Sequence, residues 1–279
     1  MFKKSPVLNC ELRKKMHEVL PHHLHEFKLV KEKFGERIMG EVKVNQVLGG
    51  MRGINGLFYE SSKLDAEKGI LLRGRNLFDL VKSLKYKGGK EPLPESLIWY
   101  MFTGEIPNDQ QVKTVIDGLN CRAQSMLKTK FQQTENMLKS LDKSVHPMTQ
   151  LSMAVLSLQS SSQFAEAYRN GVNKKHYWES YYEDSMNLIS VLPRIASLIY
   201  NNVFFDGRKT PDMSSDLSYA ENFANMLGYS NNKEVFDYLC HYLVLHSDHE
   251  GGNVSAHASC LVSSALSDPF YSYSAGLNG

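Results

Sequence analysis

Between His246 and His257 the chain reads HSDHEGGNVSAH, which puts three histidines, two carboxylates, an asparagine and two adjacent glycines in twelve residues. Such groups can ligate a metal, move protons or grip an anion. Three readings stand. His246, Asp248, His249 or His257 could hold a metal ion, although HxxHE is not the HExxH spacing that sets two imidazoles one turn apart. The stretch could be a polar helix junction whose histidines are satisfied locally. Or it could bind a carboxylate, because the free N–H groups and dipole of a helix start, flanked by imidazoles, favour negative charge. If the preceding helix continues, His246 and His249 stand at i,i+3 and His249 and Asn253 at i,i+4, on one face. Gly251 and Gly252 are expected to break that helix, and Asn253 or Ser255 to cap the next.

A second candidate is GGMRGING, Gly49 to Gly56. Its spacing is not GxGxxG, strand-like LFYE follows where a helix should, and no GK[ST] is present, so neither a dinucleotide fingerprint nor a P-loop fits. What remains is a glycine-rich backbone carrying Arg52. A planar guanidinium there suits phosphate or carboxylate, and an ordinary tight turn is the alternative. The aromatic cluster Tyr177, Trp178, Tyr181 and Tyr182 reads as packing. Lys174, Lys175 and His176 read as a solvated turn.

The elements that must position these residues are mostly helices. Residues 9–34 have a helical pattern, interrupted at Pro21. GEVKV, GLFYES and ILLRG within residues 40–75 are strand-like pieces of a small β element. In PLPESLIWYMFTGEIP, Pro94 opens a helix, Gly104 caps it and Pro107 prevents its continuation. Asn108 or Asp109 can cap the next helix. HPMTQLSMAVLSLQSSS carries apolar residues at helical spacing, and YWESYYEDSMNLISVLPRIASLIY is a long helix bent or broken at Pro193. EVFDYLCHYLVLH leads into HSDHEGGN. The fold class is mainly α with a minor β element near the N-terminus.

A 279-residue chain with net charge +2 offers no basic surface for nucleic acid. No apolar run reaches the ~18 residues of a membrane span. Cys10, Cys121, Cys240 and Cys260 are scattered, without CxxC spacing, which argues against a zinc module or disulfide framework and for a reducing compartment. No signal peptide or Arg-rich transit segment is visible.

Taken in order, GGMRGINGLFYESSKLD, EPLPESLIWYMFTGEIP, HPMTQLSMAVLSLQS, YWESYYEDSMNLI, NFANMLGY and HSDHEGGNVSAHASCLVSSALSDPFYSYSAGLNG resemble citrate synthase of the eukaryotic mitochondrial type. The resemblance runs from about residue 10 to the end. It implies a multi-helical homodimer in the mitochondrial matrix that condenses acetyl-coenzyme A with oxaloacetate and water to citrate and coenzyme A, with no metal or cofactor. Methylcitrate synthase, a relative using a longer acyl group, is a further reading, and a non-catalytic structural derivative is another.

By the same resemblance His249 and Asn253 match oxaloacetate contacts and His246 a supporting histidine behind them. Arg52 matches an arginine on the coenzyme A phosphates. Lys174 stands where the family has a further arginine reaching from the partner subunit; it keeps the charge and loses the bidentate fork. The family continues past GLNG with LAGPLHG, whose histidine acts on the enolate, and a second histidine and the aspartate base come later. The resemblance therefore implies that residues 1–279 are the N-terminal part of the large domain, with 40–75 as a small β element. It implies no catalytic residue among them, the small domain and C-terminal part lying beyond.

Overall fold

The computed structural model describes residues 11–50, 54, 61–248, 250 and 253–278. Helices α1 (Glu11–Phe34) and α2 (Val44–Leu48) precede a small antiparallel sheet of β1 (Ser62–Asp65), β2 (Gly69–Leu72) and β3 (Arg75–Asn76), in the order β1-β2-β3. Helices follow without further strands among the described residues. They are α3 (Leu77–Ser83), α4 (Pro94–Thr103), α5 (Asp109–Thr129), α6 (Gln132–Ser140), α7 (Pro147–Ser157) and α8 (Gln163–Arg169). Then come α9 (Tyr177–Phe204), α10 (Tyr219–Met226), α11 (Lys233–Leu245), α12 (Val254–Ser264) and α13 (Pro269–Leu277), with short 3-10 turns at Gln159–Ser161 and Lys174–His176. The mainly α class with one small sheet agrees with the pattern read from the sequence.

Local chemistry explains the boundaries. Pro94 fills the first helical position of α4, where its missing N–H costs nothing, and Gly104 closes the helix at φ 77°. Asn108 caps α5: its Oδ1 accepts from Gln111 N at 2.8 Å while Gln111 Oε1 accepts from Asn108 N at 2.8 Å. The β2–β3 turn has two residues, Arg73 and Gly74, with φ of 46° and 79°, which matches the right-handed twist of a tight hairpin. Tyr100 Oη donates to Leu72 O at 3.1 Å and Arg73 Nη1 to Met101 O at 3.2 Å, docking this hairpin on α4.

Three expectations are corrected. GEVKV is not a strand: residues 40–43 are irregular and Val44 begins α2; no strand among the described residues pairs with it, and Gln46 Oε1 accepts from Lys43 N at 2.9 Å. Part of GLFYES lies outside the described residues, and ILLRG supplies β2. Pro21 does not interrupt α1, since it sits on an exposed face where water can take the carbonyl it orphans.

Pro193 does not break α9 either, although it is buried. Proline at 193 leaves the carbonyl of Ile189 without its i+4 donor. Tyr219 Oη donates to that carbonyl at 2.9 Å and replaces the lost bond. The Tyr219 backbone N–H in turn donates to Glu95 Oε1 at 2.7 Å, so the start of α10 is tied to both α9 and α4. Burial, then Tyr273 and Glu95, raise the Tyr219 phenol, which keeps its proton available for donation.

Helix α9 is the central strut. Leu188, Val191, Ile195, Leu198 and Ile199 pack with Phe131, Leu138, Val155 and Phe270 from α6, α7 and α13 and their flanks. Tyr182 and Met186 pack with Trp99, Leu119 and Leu12 from α4, α5 and α1. The aromatic cluster at its N-terminal end is packing, as expected: Phe164 meets Tyr177 and Tyr181 edge-on at 5.3 and 5.4 Å, and Trp178 meets His17 at 4.6 Å. A buried Arg122–Glu183 pair at 2.7 Å joins α5 to α9, and Arg13 reaches Glu179 at 2.8 Å from α1. Asp184, fully buried, accepts from Ser162 Oγ, Gln163 N and Phe164 N at 2.7–2.9 Å and so caps α8 from a distance.

Two predictions follow from this core. Tyr219→Phe leaves a partly buried carbonyl without its side-chain donor and is expected to cost about 1 kcal/mol in denaturant unfolding; an unchanged midpoint and slope would contradict the role given to its hydroxyl. Burial pushes the Asp184 carboxyl up to about 6, outweighing the three donors that pull it down. A carboxyl raised on folding lends stability that is full below its unfolded value near 3.8 and lost as pH rises through about 6. Unfolding free energy measured from pH 4 to 6.5 is therefore expected to fall less steeply in Asp184→Asn than in the parent.

Candidate functional site

The sequence singles out the turn between α11 and α12, and the structure shows how it is held. Asn232 Oδ1 caps α11, accepting from Glu234 N and Val235 N at 3.1 Å each. The apolar stripe Phe236, Leu239, Cys240 and Val244 anchors the helix. Val244 and Leu245 pack into the same cluster as Leu72, Leu77 and Tyr100, so the C-terminal end of α11 emerges beside the hairpin.

The helix stops earlier than the i,i+3 reading of His246 and His249 requires. Leu245 is its last residue and His246 its C-cap. The reason is local: His246 Nδ1 turns back onto Tyr242 O at 2.9 Å and its ring stacks on Tyr242 at 4.2 Å. A carbonyl only accepts, so Nδ1 carries the hydrogen in this contact. As an imidazolium the ring would sit at the negative end of the α11 dipole.

Asn253 caps α12, its Oδ1 accepting from Ser255 N at 2.7 Å. With the oxygen committed to the helix, the Nδ2 amide is the part of Asn253 able to donate to a ligand. A carboxylate placed there would meet both that amide and the positive end of an eleven-residue helix. Between the two helices, Glu250 Oε2 accepts from Leu64 N of β1 at 2.9 Å. Asp248 lies close enough to Cys260 on α12 to raise its thiol, second to burial, which leaves that cysteine a poor nucleophile.

Helix α12 has no buried residue of its own and depends on α13. A Cβ at Gly276 of α13 would collide with Ser259 Oγ and come within 2.9 Å of Ser255 O, so the Ala/Ser/Gly composition here serves close helix packing. Helix α13 is fixed in turn. Asp268 Oδ1 caps it at Phe270 N and Tyr271 N, Asp268 Oδ2 accepts from Gln159 Nε2 at 2.9 Å, and Phe270 is wholly buried beside α7 and α9. The chain of support for Asn253 therefore runs from α9 through α13 to α12.

The predicted site residues divide as follows. His246 and Asn253 flank one turn. His249 and Arg52 lie outside the described residues. Lys174 begins the exposed 3-10 turn before α9, and its side chain makes no hydrogen bond or ion pair among the described residues. Glu250 was not singled out by the sequence, because a carboxylate holding a backbone N–H 186 residues away leaves no local signature. Among the described residues no cluster of three His, Cys, Asp or Glu side chains is arranged to hold a metal ion. Grooves of about 420 and 620 Å³ lie around Lys87, one against α10 and the loop that leads from it into α11 and the other against α5; neither is lined by the 246–253 turn.

A family model described as citrate synthase, C-terminal domain, matches residues 50–279. The mitochondrial 2-methylcitrate synthase of Yarrowia lipolytica is 49% identical over 269 residues, and the mitochondrial citrate synthase of Saccharomyces cerevisiae is 48% identical over 270. Each match takes 96% of this chain but only 57% and 55% of those proteins, so the chain spans little more than half the length of the curated relatives it matches. Among solved structures, citrate synthase from Pyrobaculum aerophilum matches at a TM-score of 0.68 and 22% identity, over 82% of this chain and 54% of that one. A ternary complex of carboxymethyl coenzyme A and oxaloacetate with citrate synthase from Thermoplasma acidophilum matches at 0.65 and 19% identity, over 82% and 55%. At these identities the structural likeness speaks for the shared, mainly helical fold.

The cap and the proposed donor on Asn253 are separable. Asn253→Ala is expected to cost about 1 kcal/mol and to speed amide exchange at Ser255, whereas Asn253→Asp keeps an oxygen acceptor and holds both near the parent. Equal exchange at Ser255 in the alanine variant would show that the cap is not formed.

Proposed function

The chain belongs to the citrate synthase family, and from that premise we propose that its α11–α12 turn binds oxaloacetate for condensation with acetyl-coenzyme A. The reaction, run by the whole enzyme, joins the acetyl carbon to the ketone carbon to give a citryl thioester, which water then cleaves to citrate and free coenzyme A. The observation that carries the reading is the divided role of Asn253: Oδ1 holds the helix, leaving Nδ2 for a ligand oxygen. Oxaloacetate has two carboxylates flanking a ketone. One carboxylate or the ketone oxygen meets Asn253 and His249, and His246 supports them from the end of α11. Arg52 and Lys174 meet coenzyme A phosphates, lysine as a point charge in place of a guanidinium fork.

Binding and orientation are the contribution of these residues. The ketone carbon must sit within van der Waals reach of the attacking carbon, and fixing both converts a bimolecular encounter into a near-unimolecular one. A carboxylate base then removes a proton beside the thioester carbonyl, while a donor steadies the enolate oxygen. Those base and enolate groups belong to the GPLHG-like segment and later aspartate of the family, not to His246, His249 or His257. Mitochondrial citrate synthases among the relatives support a mitochondrial matrix location. Exposed Val254 and Leu261 on α12 support a covering protein surface, in keeping with the homodimer.

A second reading has a specific observation in its favour. The relative named 2-methylcitrate synthase is 49% identical and the yeast citrate synthase 48%, so overall identity does not separate propionyl from acetyl as the acyl group. Both readings share oxaloacetate as the acceptor.

Calorimetric titration of the chain with oxaloacetate is expected to show binding that Asn253→Asp weakens at least tenfold, equivalent to about 1.4 kcal/mol, at an unchanged unfolding midpoint. No heat of binding in the parent, or equal affinity in the variant, would overturn the reading.

A further inference from the structure

We propose that Glu250 is a positioning residue that fastens the ligand turn to the outer strand of the hairpin; this rests on the function proposed above. Strand β1 is the outer strand of its sheet and pairs through one edge with β2, Leu64 facing Ile70. The Leu64 N–H donates instead to Glu250 Oε2 at 2.9 Å. An unpaired strand edge is thereby closed by a carboxylate from the far end of the sequence.

The turn needs such an anchor. It runs from the end of α11 at Leu245 to Asn253 at the start of α12, and two of its residues, Gly251 and Gly252, have no side chain with which to hold it. Its near end is fixed where Val244 packs with Leu72, and its far end where Asn253 caps α12. Glu250 stands between these points, next to His249 and three residues before Asn253. On the hairpin side, β1 begins ten residues after Arg52 in the same segment. The Glu250–Leu64 bond therefore joins the turn assigned to oxaloacetate to the outer strand of the sheet.

The role depends on an acceptor oxygen and not on charge, which sets the test. Amide exchange at Leu64 and Ser255 and oxaloacetate titration are measured on the 279-residue chain, its Glu250→Ala variant and its Glu250→Gln variant. Glu250→Ala is expected to speed exchange at Leu64 and Ser255 at least tenfold and weaken oxaloacetate several-fold, without moving the global unfolding midpoint. Glu250→Gln, whose amide oxygen can accept the same N–H, is expected to restore all three. Unchanged Leu64 exchange in the alanine variant, or exposed Leu64 with full oxaloacetate affinity, overturns the proposal. If the parent chain binds no oxaloacetate, the functional reading fails, and the exchange rates alone decide whether Glu250 holds the turn.

Discussion

The structure depends on a proline in the middle of its longest helix having its lost hydrogen bond made good. Helix α9 contributes to two apolar clusters, and Pro193 removes the donor from the partly buried carbonyl of Ile189. Tyr219 supplies that donor through its hydroxyl and spends its own N–H on Glu95, so one residue at the head of α10 joins three helices. Because α13 packs on α9 through Phe270 and α12 rests on α13, the core sets where the helix capped by Asn253 stands.

Buried polar groups do most of the positioning between helices. Arg122 and Glu183 are both nearly inaccessible and paired at 2.7 Å, with Arg13 on the same side. Such a pair does not by itself add stability over apolar packing, but loss of either partner strands a charge, so the arrangement fixes which helices may face each other. Asp184 does the same for α8, and Asn222 for the loop before α10, where its Nδ2 donates to Ser214 O at 2.9 Å and its Oδ1 accepts from Ser214 N at 2.9 Å. The outer elements differ: no residue of α12 is fully buried, and Leu24, Phe27, Val30 and Phe34 on α1 are exposed.

Much of this was legible because helix punctuation is local chemistry. Pro94, Gly104, Asn108 and Asn253 mark ends that the structure uses, since caps involve residues two or three positions apart. What failed to show was decided by distant partners. Nothing near Pro193 in sequence announces Tyr219, and nothing near HSDHEGGN announces Leu64. The strand pattern of GEVKV was overridden because β-pairing needs a neighbour, and none of the described residues supplies one. The early stop of α11 rests on one imidazole folding back on Tyr242, a choice of rotamer that spacing cannot reveal. The family resemblance was carried by long ordered motifs, and it assigned roles to His249 and Arg52 that local geometry alone would not have given.

The central claim is that Asn253 caps α12 with its oxygen and offers its Nδ2 amide to oxaloacetate. The most direct measurement is the side-chain amide pair of Asn253 in a 15N-labelled sample titrated with oxaloacetate. The account predicts that this pair shifts and saturates with the binding isotherm while the Ser255 amide stays protected. An Asn253 side-chain pair that does not move at saturating oxaloacetate would contradict it.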